Sequence, residues 1–192
     1  GDRVLCICGK YLKTNGLLAT DKITATVMSN IGLHKHLKEY GIGVDVTKVG
    51  DRYVLESMRE TGSVLGGEQS GHMIFLNYTT TGDGVLSSLQ FMKAYLDSGK
   101  KLSELRDEIQ IYPQALVNAR VDNAFKATAL EDEEVKKFIA DIEAKMEGTG
   151  RVLIRPSGTE PLIRVMLEGE DIDEIQGYAK QVAALISDKF GK

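Results

Sequence analysis

Hydrophobic residues recur at a helical spacing in some segments of the first half of the chain and at a strand-like spacing in others. A first amphipathic helix is predicted to begin at Asp2, which can cap it, and to end at Asn15-Gly16. Four further segments then alternate between strand and helix, at residues 23–29, 33–41, 44–49 and 51–62. This alternation predicts right-handed βαβ units in a largely parallel sheet.

A fourth helix is predicted after residues 79–84, with an apolar stripe at the 3.6-residue period made of Val85, Leu89, Met92 and Leu96. The composition then becomes polar over residues 98–113, which indicates a domain boundary. Beyond it we predict a strand at 115–121, a helix at 131–146, two strands around residues 155–161, and a last helix started by Asp171 and Glu174.

Two domains follow from this pattern. Residues 1–102 are predicted to form an α/β domain, with helices on both faces of a βαβ sheet. Residues 103–192 are predicted to form a small C-terminal α+β domain, with helices on one face of an antiparallel sheet. The chain has no initiator methionine and passes from Gly1-Asp2 directly into a helix, which indicates a fragment of a longer protein.

Composition and charge narrow the classes of function. The chain is 42% hydrophobic and 27% charged, as expected for a soluble globular protein with a core. Its net charge of -4 argues against general nucleic-acid binding. No apolar run is long enough for a membrane span, and the N-terminus lacks a secretion signal. Cys6 and Cys8 are interpreted as reduced core thiols of a cytoplasmic protein.

The segment Arg155-Pro156-Ser157-Gly158-Thr159-Glu160-Pro161 lies between two apolar runs that read as strands. It combines a guanidinium, two hydroxyls and a glycine, and Arg164 follows closely. These groups can donate to a phosphate dianion, and arginine matches its oxygens in bidentate geometry. The alternative is a tight hairpin turn in which proline, glycine and the hydroxyls serve only local geometry. The residues alone leave both interpretations open.

The segment Gly66-Gly67-Glu68-Gln69-Ser70-Gly71-His72 leads into another apolar strand. A carboxylate beside a hydroxyl suits the vicinal hydroxyls of a sugar, and His72 could move a proton near neutral pH. A glycine-rich turn with a structural histidine is the alternative.

Loops at the carboxyl ends of parallel strands bind ligands in open α/β sheets. The segments 28–30 and 49–52 are therefore candidate ligand-lining loops, which includes Gly50, Asp51 and Arg52. Ser29, Asn30 and Asp51 would cap helices in any case, and for each residue taken singly capping is favoured over ligand contact. The Thr79–Gly84 segment reads in the same way, as a cap that could also favour an anion. No set of histidines or carboxylates has the spacing of metal ligands.

Three motifs in fixed order, GGEQSGH, TTTGDG and RPSGTEP followed by IRVM, resemble the α-D-phosphohexomutase family. The resemblance covers essentially all 192 residues and matches the third and fourth of the family's four domains. Gln69 and the segment Val49-Gly50-Asp51-Arg52-Tyr53-Val54 favour the bacterial members that act on glucosamine phosphates.

The resemblance implies roles for individual residues. Glu68 and Ser70 would bind the sugar hydroxyls, and His72 would lie beside them and be available for proton transfer. A phosphate would be held by the side chains and backbone of five residues: Arg155, Ser157, Gly158, Thr159 and Arg164. The family's reaction would be interconversion of glucosamine 6-phosphate and glucosamine 1-phosphate through a phosphoserine, a bisphosphate intermediate and Mg²⁺.

The phosphoserine loop and the aspartate-rich metal loop of the family belong to its first two domains and are not in this sequence. The chain is therefore expected to lack the Mg²⁺ ligands, to be inactive alone, and to need the N-terminal domains of its own protein as partners. Two alternatives remain: a fragment of a phosphomannomutase/phosphoglucomutase, and a non-catalytic module that binds phosphosugars. The residues do not indicate an oligomeric state.

Overall fold

The computed structural model describes residues 1–191, and Lys192, the last residue of the predicted second domain, lies outside them. The chain divides into two compact units, Gly1–Ile111 and Tyr112–Lys192. The predicted boundary between residues 102 and 103 falls within a short helix, Leu102–Asp107. Leu105 of this helix and Ile109 pack into the core of the first unit, so this polar stretch is anchored by two apolar side chains.

The first unit contains nine elements: α1 (Asp2–Thr14), β1 (Lys22–Thr26), α2 (Ile31–Glu39), β2 (Gly43–Thr47), α3 (Asp51–Thr61), β3 (Leu65–Gly67), β4 (Met73–Phe75), α4 (Gly84–Ser98) and α5 (Leu102–Asp107). Its sheet has the order β2-β1-β3-β4. β1 runs parallel to β2 and β3, as the alternating pattern predicts, whereas β4 is antiparallel to β3. The sheet is therefore mixed, with β4 added by a hairpin.

The strand order explains why helices cover both faces of this sheet. The chain moves from β1 to β2 through α2 and then returns past β1 to β3 through α3. Right-handed crossovers in opposite directions place their helices on opposite faces. α1, α2 and α4 contribute to one hydrophobic cluster, and α3 contributes to another together with β4.

The start of α1 differs from the prediction. Gly1 is the N-cap and makes no side-chain cap, while Asp2 is the first helical residue and is 5% exposed. Asp2 Oδ2 accepts a hydrogen bond from the Asn30 backbone N–H at 2.8 Å. Asn30 in turn caps α2, since its side chain accepts from the Gly32 N–H. The buried Asp2 carboxylate thus fixes the loop that follows β1.

Helix α4 presents the opposite face from the one the periodicity predicts. All four residues of the predicted buried stripe are exposed: Val85 73%, Leu89 63%, Met92 49% and Leu96 66%. Ala94 is buried instead, and the half-buried Phe91 and Tyr95 pack against the core. Both faces of α4 carry apolar residues at a helical period, so the period alone could not select the inner one.

The second unit contains six elements: β5 (Gln114–Arg120), α6 (Lys126–Glu131), α7 (Glu133–Lys145), β6 (Arg151–Pro156), β7 (Leu162–Glu168) and α8 (Ile172–Phe190). Its antiparallel sheet has the order β5-β7-β6. The core residues Ile163, Val165 and Leu167 of β7 alternate with residues on the opposite face of the sheet. Asp171 caps α8 as predicted, accepting from the Asp173 and Glu174 N–H groups.

Within residues 1–191, no helix combines the length and the apolar character that a membrane crossing requires.

Burial makes both cysteines poor nucleophiles. Desolvation raises the pKa of Cys6 to about 12, with a further contribution from Asp2, and desolvation alone raises the pKa of Cys8 to about 12. Because the thiolate is the reactive form, we expect neither thiol of the folded chain to react with a colorimetric disulfide reagent at pH 8. Both should react after unfolding in urea. Rapid titration of either thiol in the folded chain would contradict the burial of α1.

The orientation of α4 predicts different losses of stability for two substitutions on the same helix. Leu89→Ala should change the free energy of unfolding by less than about 0.5 kcal/mol, since Leu89 already faces solvent. Phe91→Ala should lower it by about 1–3 kcal/mol, since Phe91 packs against the core. Urea unfolding of the two variants checks this, and the reverse ranking would show that α4 is rotated.

Candidate functional site

The Gly66–His72 segment forms the connection of the β3–β4 hairpin. Gly66 and Gly67 pair with Ile74 and Met73, so only residues 68–72 lie outside the ladder. The connection is closed by two backbone hydrogen bonds of 2.9 Å, from the Glu68 N–H to the His72 carbonyl and from the Gly71 N–H to the Glu68 carbonyl. Glu68, Ser70 and His72 are therefore carried on a short, internally bonded turn.

The Glu68 carboxylate is positioned by the loop that follows β2. Its Oε1 accepts a hydrogen bond of 3.0 Å from the backbone N–H of Gly50. Within residues 1–191, Oε2 accepts no hydrogen bond. One oxygen thus orients the side chain while the other keeps its capacity to accept from a hydroxyl group.

His72 lies between two other segments of the first unit. Its Nε2 is 3.4 Å from Asp51 Oδ2, an ion pair when the imidazole is protonated. On the other side, a Cβ at Gly82 would overlap the imidazole ring. The absence of a side chain at Gly82 therefore creates the space that His72 occupies, and the TTTGDG motif contributes to the same site as the GGEQSGH motif.

The structure brings Gly50, Asp51, Glu68 and His72 together but leaves Arg52 outside this group. Arg52 is highly exposed, and its Nε donates to Glu56 Oε1 at 2.8 Å, one helical turn along α3. Ser70 lies at the exposed tip of the hairpin connection. Asp51 is not the predicted cap of α3, since it is the first helical residue and the N-cap is Gly50.

Arg155 and Arg164 lie directly opposite each other in the β6–β7 ladder. Arg164 is also in register with Asn118 on β5, so the three side chains form a row across the sheet. Ile163 and Val165 belong to the core shared with the helices, which places Arg164 on the other face. Like charges directly opposite each other in a ladder are destabilising, so this row is costly unless an anion joins it.

The row is only partly neutralised. Arg164 Nη2 lies 2.9 Å from Glu160 Oε2. No carboxylate of residues 1–191 is within salt-bridge distance of Arg155. The arrangement therefore leaves a net positive charge at the Arg155–Pro161 loop, in a chain whose overall net charge is -4.

The loop between the two strands has an ordered base and an exposed tip. Ser157 is 7% exposed, its N–H donates to the Leu162 carbonyl at 2.9 Å, and its Oγ accepts from the Glu160 N–H at 3.2 Å. Gly158 and Thr159 are exposed. The Ser157 hydroxyl is thus engaged within the loop, while the Gly158 and Thr159 groups are accessible.

The sequence did not predict the contact of Gly82 with His72 or the position of Asn118 beside Arg164 in the sheet. The sequence predicts a helix cap that could also favour an anion at the segment containing Gly82, and the contact of Gly82 with His72 depends on the fold. Asn118 could have been found from the register, since it lies on the polar side of an alternating strand that pairs with the strand of Arg164.

Two family models match the chain. The phosphoglucomutase/phosphomannomutase alpha/beta/alpha domain III matches residues 1–112, and the C-terminal domain of the same family matches residues 116–185. The chain belongs to the phosphoglucomutase/phosphomannomutase family. The resemblance inferred from the three motifs is therefore confirmed, as is the assignment to the third and fourth domains of that family.

Relatives within this family are named phosphoglucosamine mutase. The protein of Streptococcus gordonii is 52% identical over 191 residues, which is 100% of this chain and 42% of the relative. That of Thermoanaerobacter sp. (strain X514) is 54% identical over 190 residues, 99% of this chain and 42% of the relative. The chain thus spans less than half the length of these relatives.

Solved structures of the N-acetylphosphoglucosamine mutase of Aspergillus fumigatus share the fold. One has a TM-score of 0.80 at 18% identity, and a second, in complex with GlcNAc-6P and magnesium, has a TM-score of 0.78 at 18% identity. Each match covers 98% of this chain and 43% of the solved chain.

The contact between Gly82 and His72 predicts a selective effect of Gly82→Ala. The added methyl group should displace the exposed imidazole from Asp51, because the ring end of a flexible side chain yields more easily than backbone. We expect a clear change in the His72 ring resonances in a proton–carbon NMR spectrum, with little loss of stability. Gly84→Ala is the matched control, since a Cβ there meets open space. Unchanged His72 resonances in Gly82→Ala would refute this packing.

Proposed function

We propose that the chain is the sugar- and phosphate-binding part of a phosphoglucosamine mutase, an isomerase that interconverts glucosamine 6-phosphate and glucosamine 1-phosphate. The observation that carries the proposal is the pair of arginines facing each other on β6 and β7 with a net positive charge. Identity above 50% to phosphoglucosamine mutases along the chain supports the choice of substrate.

The phosphate is proposed to bind at the row of Arg155 and Arg164. A guanidinium offers five N–H donors in a planar fork, so Arg164 can keep its contact with Glu160 and still donate to a phosphate oxygen. Gly158 and Thr159 add accessible donors at the loop tip, and the buried Ser157 orders the base of the loop. A phosphate dianion would remove the repulsion between the two arginines.

The sugar hydroxyls are proposed to bind at the hairpin connection of the first unit. Glu68 Oε2 can accept from one or two hydroxyl groups while Gly50 holds Oε1. Ser70 at the tip can donate to or accept from a neighbouring hydroxyl. Asp51 contributes through His72, and Arg52, which is directed to Glu56, is not needed for this step.

His72 is proposed to exchange a proton with the sugar hydroxyl that gains or loses the phosphoryl group. Asp51 Oδ2 faces Nε2 and orients the ring, which leaves Nδ1 as the nitrogen that would accept the proton from the hydroxyl or return it. Gly82 keeps the ring in this position.

The phosphoryl donor and the metal site are proposed to lie in the additional length that the relatives have. The Aspergillus fumigatus structure contains magnesium. Residues 1–191 contain no cluster of three or more His, Cys, Asp or Glu side chains that could hold a metal ion. They therefore do not fit a Mg²⁺ site, and we derive no step through Mg²⁺ for this chain. The partner proposed for this chain is a set of N-terminal domains that carry the phosphoserine and the metal loop.

We place the enzyme in the cytoplasm, supported by the two free, buried thiols in the first unit.

A phosphomannomutase/phosphoglucomutase would use the same arginine row. A competition binding experiment distinguishes the two candidate enzymes, with mannose 6-phosphate, glucose 6-phosphate and glucosamine 6-phosphate as competing ligands. We expect glucosamine 6-phosphate to bind most tightly.

The proposal predicts the effect of Arg155→Met on ligand binding. In an NMR titration with glucosamine 6-phosphate, the Gly158 and Thr159 amide resonances of the unmodified chain should shift and saturate. Arg155→Met should weaken this binding by about tenfold or more, because hydrogen bonds to charged groups contribute about 1.5–3 kcal/mol.

Arg106→Met is the control, because Arg106 is exposed and already paired with Asp107 in the first unit. Glucosamine without phosphate should leave the Gly158 and Thr159 resonances unchanged. Equal affinity of Arg155→Met and the unmodified chain would rule out the arginine row as the phosphate site.

A further inference from the structure

Lys126 is a buried lysine that contacts the Arg155–Pro161 loop. It is the first residue of α6 and is 9% exposed. Its Nζ donates to the Ser157 carbonyl at 2.6 Å and also to the Glu160 carbonyl. One ammonium group therefore joins the two ends of segment 157–160, which contains the accessible residues Gly158 and Thr159.

The charge of Lys126 is not balanced by a carboxylate. Throughout the described part of the second unit, no Asp or Glu oxygen lies within salt-bridge distance of its Nζ. Carbonyl groups satisfy the N–H donors but carry no net charge, and burying an unpaired charge is costly. A cation kept under these conditions indicates a role at the loop.

The contact with the Ser157 carbonyl also determines where the loop directs a backbone donor, whereas Glu160 is followed by Pro161, which has no N–H. In a trans peptide the C=O and the following N–H point in opposite directions. No peptide bond of the described residues is cis. Because the Ser157 carbonyl points at Lys126, the Gly158 N–H points away from it, toward the exposed side of the loop. Lys126 thus holds a backbone donor outward while adding positive charge behind it.

We propose that Lys126 is a positioning residue of the phosphate site: it holds segment 157–160 in the anion-binding conformation and supplies a buried positive charge that favours a phosphate dianion. The inference rests on the proposed phosphate site at Arg155 and Arg164, and adds a third cation to it. Lys126 acts through the loop backbone and does not itself contact the ligand.

The test is an NMR titration of the chain and of Lys126→Met with inorganic phosphate and with glucosamine 6-phosphate. Methionine keeps most of the aliphatic stem and removes the ammonium. We expect both ligands to bind about tenfold more weakly to Lys126→Met, as for loss of a charge-assisted contact. Amide hydrogen exchange of Ser157 and Glu160 should become faster. Lys136→Met is the control, since Lys136 is a lysine of the same unit that is half exposed and paired with Glu131.

The pH dependence of binding separates the charge from a general loosening of the loop. The phosphate group of glucosamine 6-phosphate, a monoester, loses its second proton with a pKa near 6. This group is therefore a dianion at pH 7.5 and largely a monoanion at pH 5. The preference for the dianion should shrink in Lys126→Met, because a lost positive charge weakens binding of the dianion more. A purely structural role would weaken the binding of both forms by the same factor.

A measurement on the unmodified chain keeps the test decisive if Lys126→Met fails to fold. In a proton–nitrogen spectrum of the lysine ammonium groups, the Lys126 resonance should be visible because buried hydrogen bonds slow its exchange. It should shift when inorganic phosphate is added. A Lys126 resonance that does not respond while the Gly158 amide does would overturn the inference.

Two failures are distinguishable. If the unmodified chain binds neither ligand at the loop, the proposed phosphate site is wrong. If the unmodified chain binds and folded Lys126→Met binds equally well with the same dianion preference, the phosphate site stands and the role of Lys126 is wrong.

Discussion

The positive charge that two facing strands hold at one end of a small sheet is the constraint on which the functional account depends. Arg155 and Arg164 are in register, so the ladder itself brings two guanidinium groups together. The core on the other face of β7 fixes this register, because a slip by one residue would move Ile163 and Val165 out of it. The folding of the second unit thus maintains a repulsion that an anion can relieve.

In the first unit, by contrast, the backbone positions single side chains. The Gly50 N–H holds one oxygen of Glu68, and the absence of a side chain at Gly82 makes room for His72. These contacts join the loop after β2, the β3–β4 hairpin and the start of α4. A carboxylate and an imidazole therefore come from one short turn, but their orientations are set by two other segments.

The sequence predicted most features that depend on local patterns, although the caps expected at Asp2 and Asp51 were wrong, and it failed where packing decides. The alternation of strands and helices and the caps by Asn30, Asp83 and Asp171 are local, and the structure contains them. The prediction of which face of α4 is buried was wrong, because Val85 and Leu89 are as apolar as the residues that are buried. Lys126 carries no sequence signal, since the helix predicted in this region begins only at residue 131 and the contacts of Lys126 lie about thirty residues away along the chain.

A crystal structure of the chain with glucosamine 6-phosphate tests the central claim most directly. The account predicts phosphate oxygens within about 3 Å of the guanidinium groups of both Arg155 and Arg164 and of the Gly158 N–H. A phosphate bound elsewhere in the chain, with the arginine row unoccupied at saturating ligand, would contradict it.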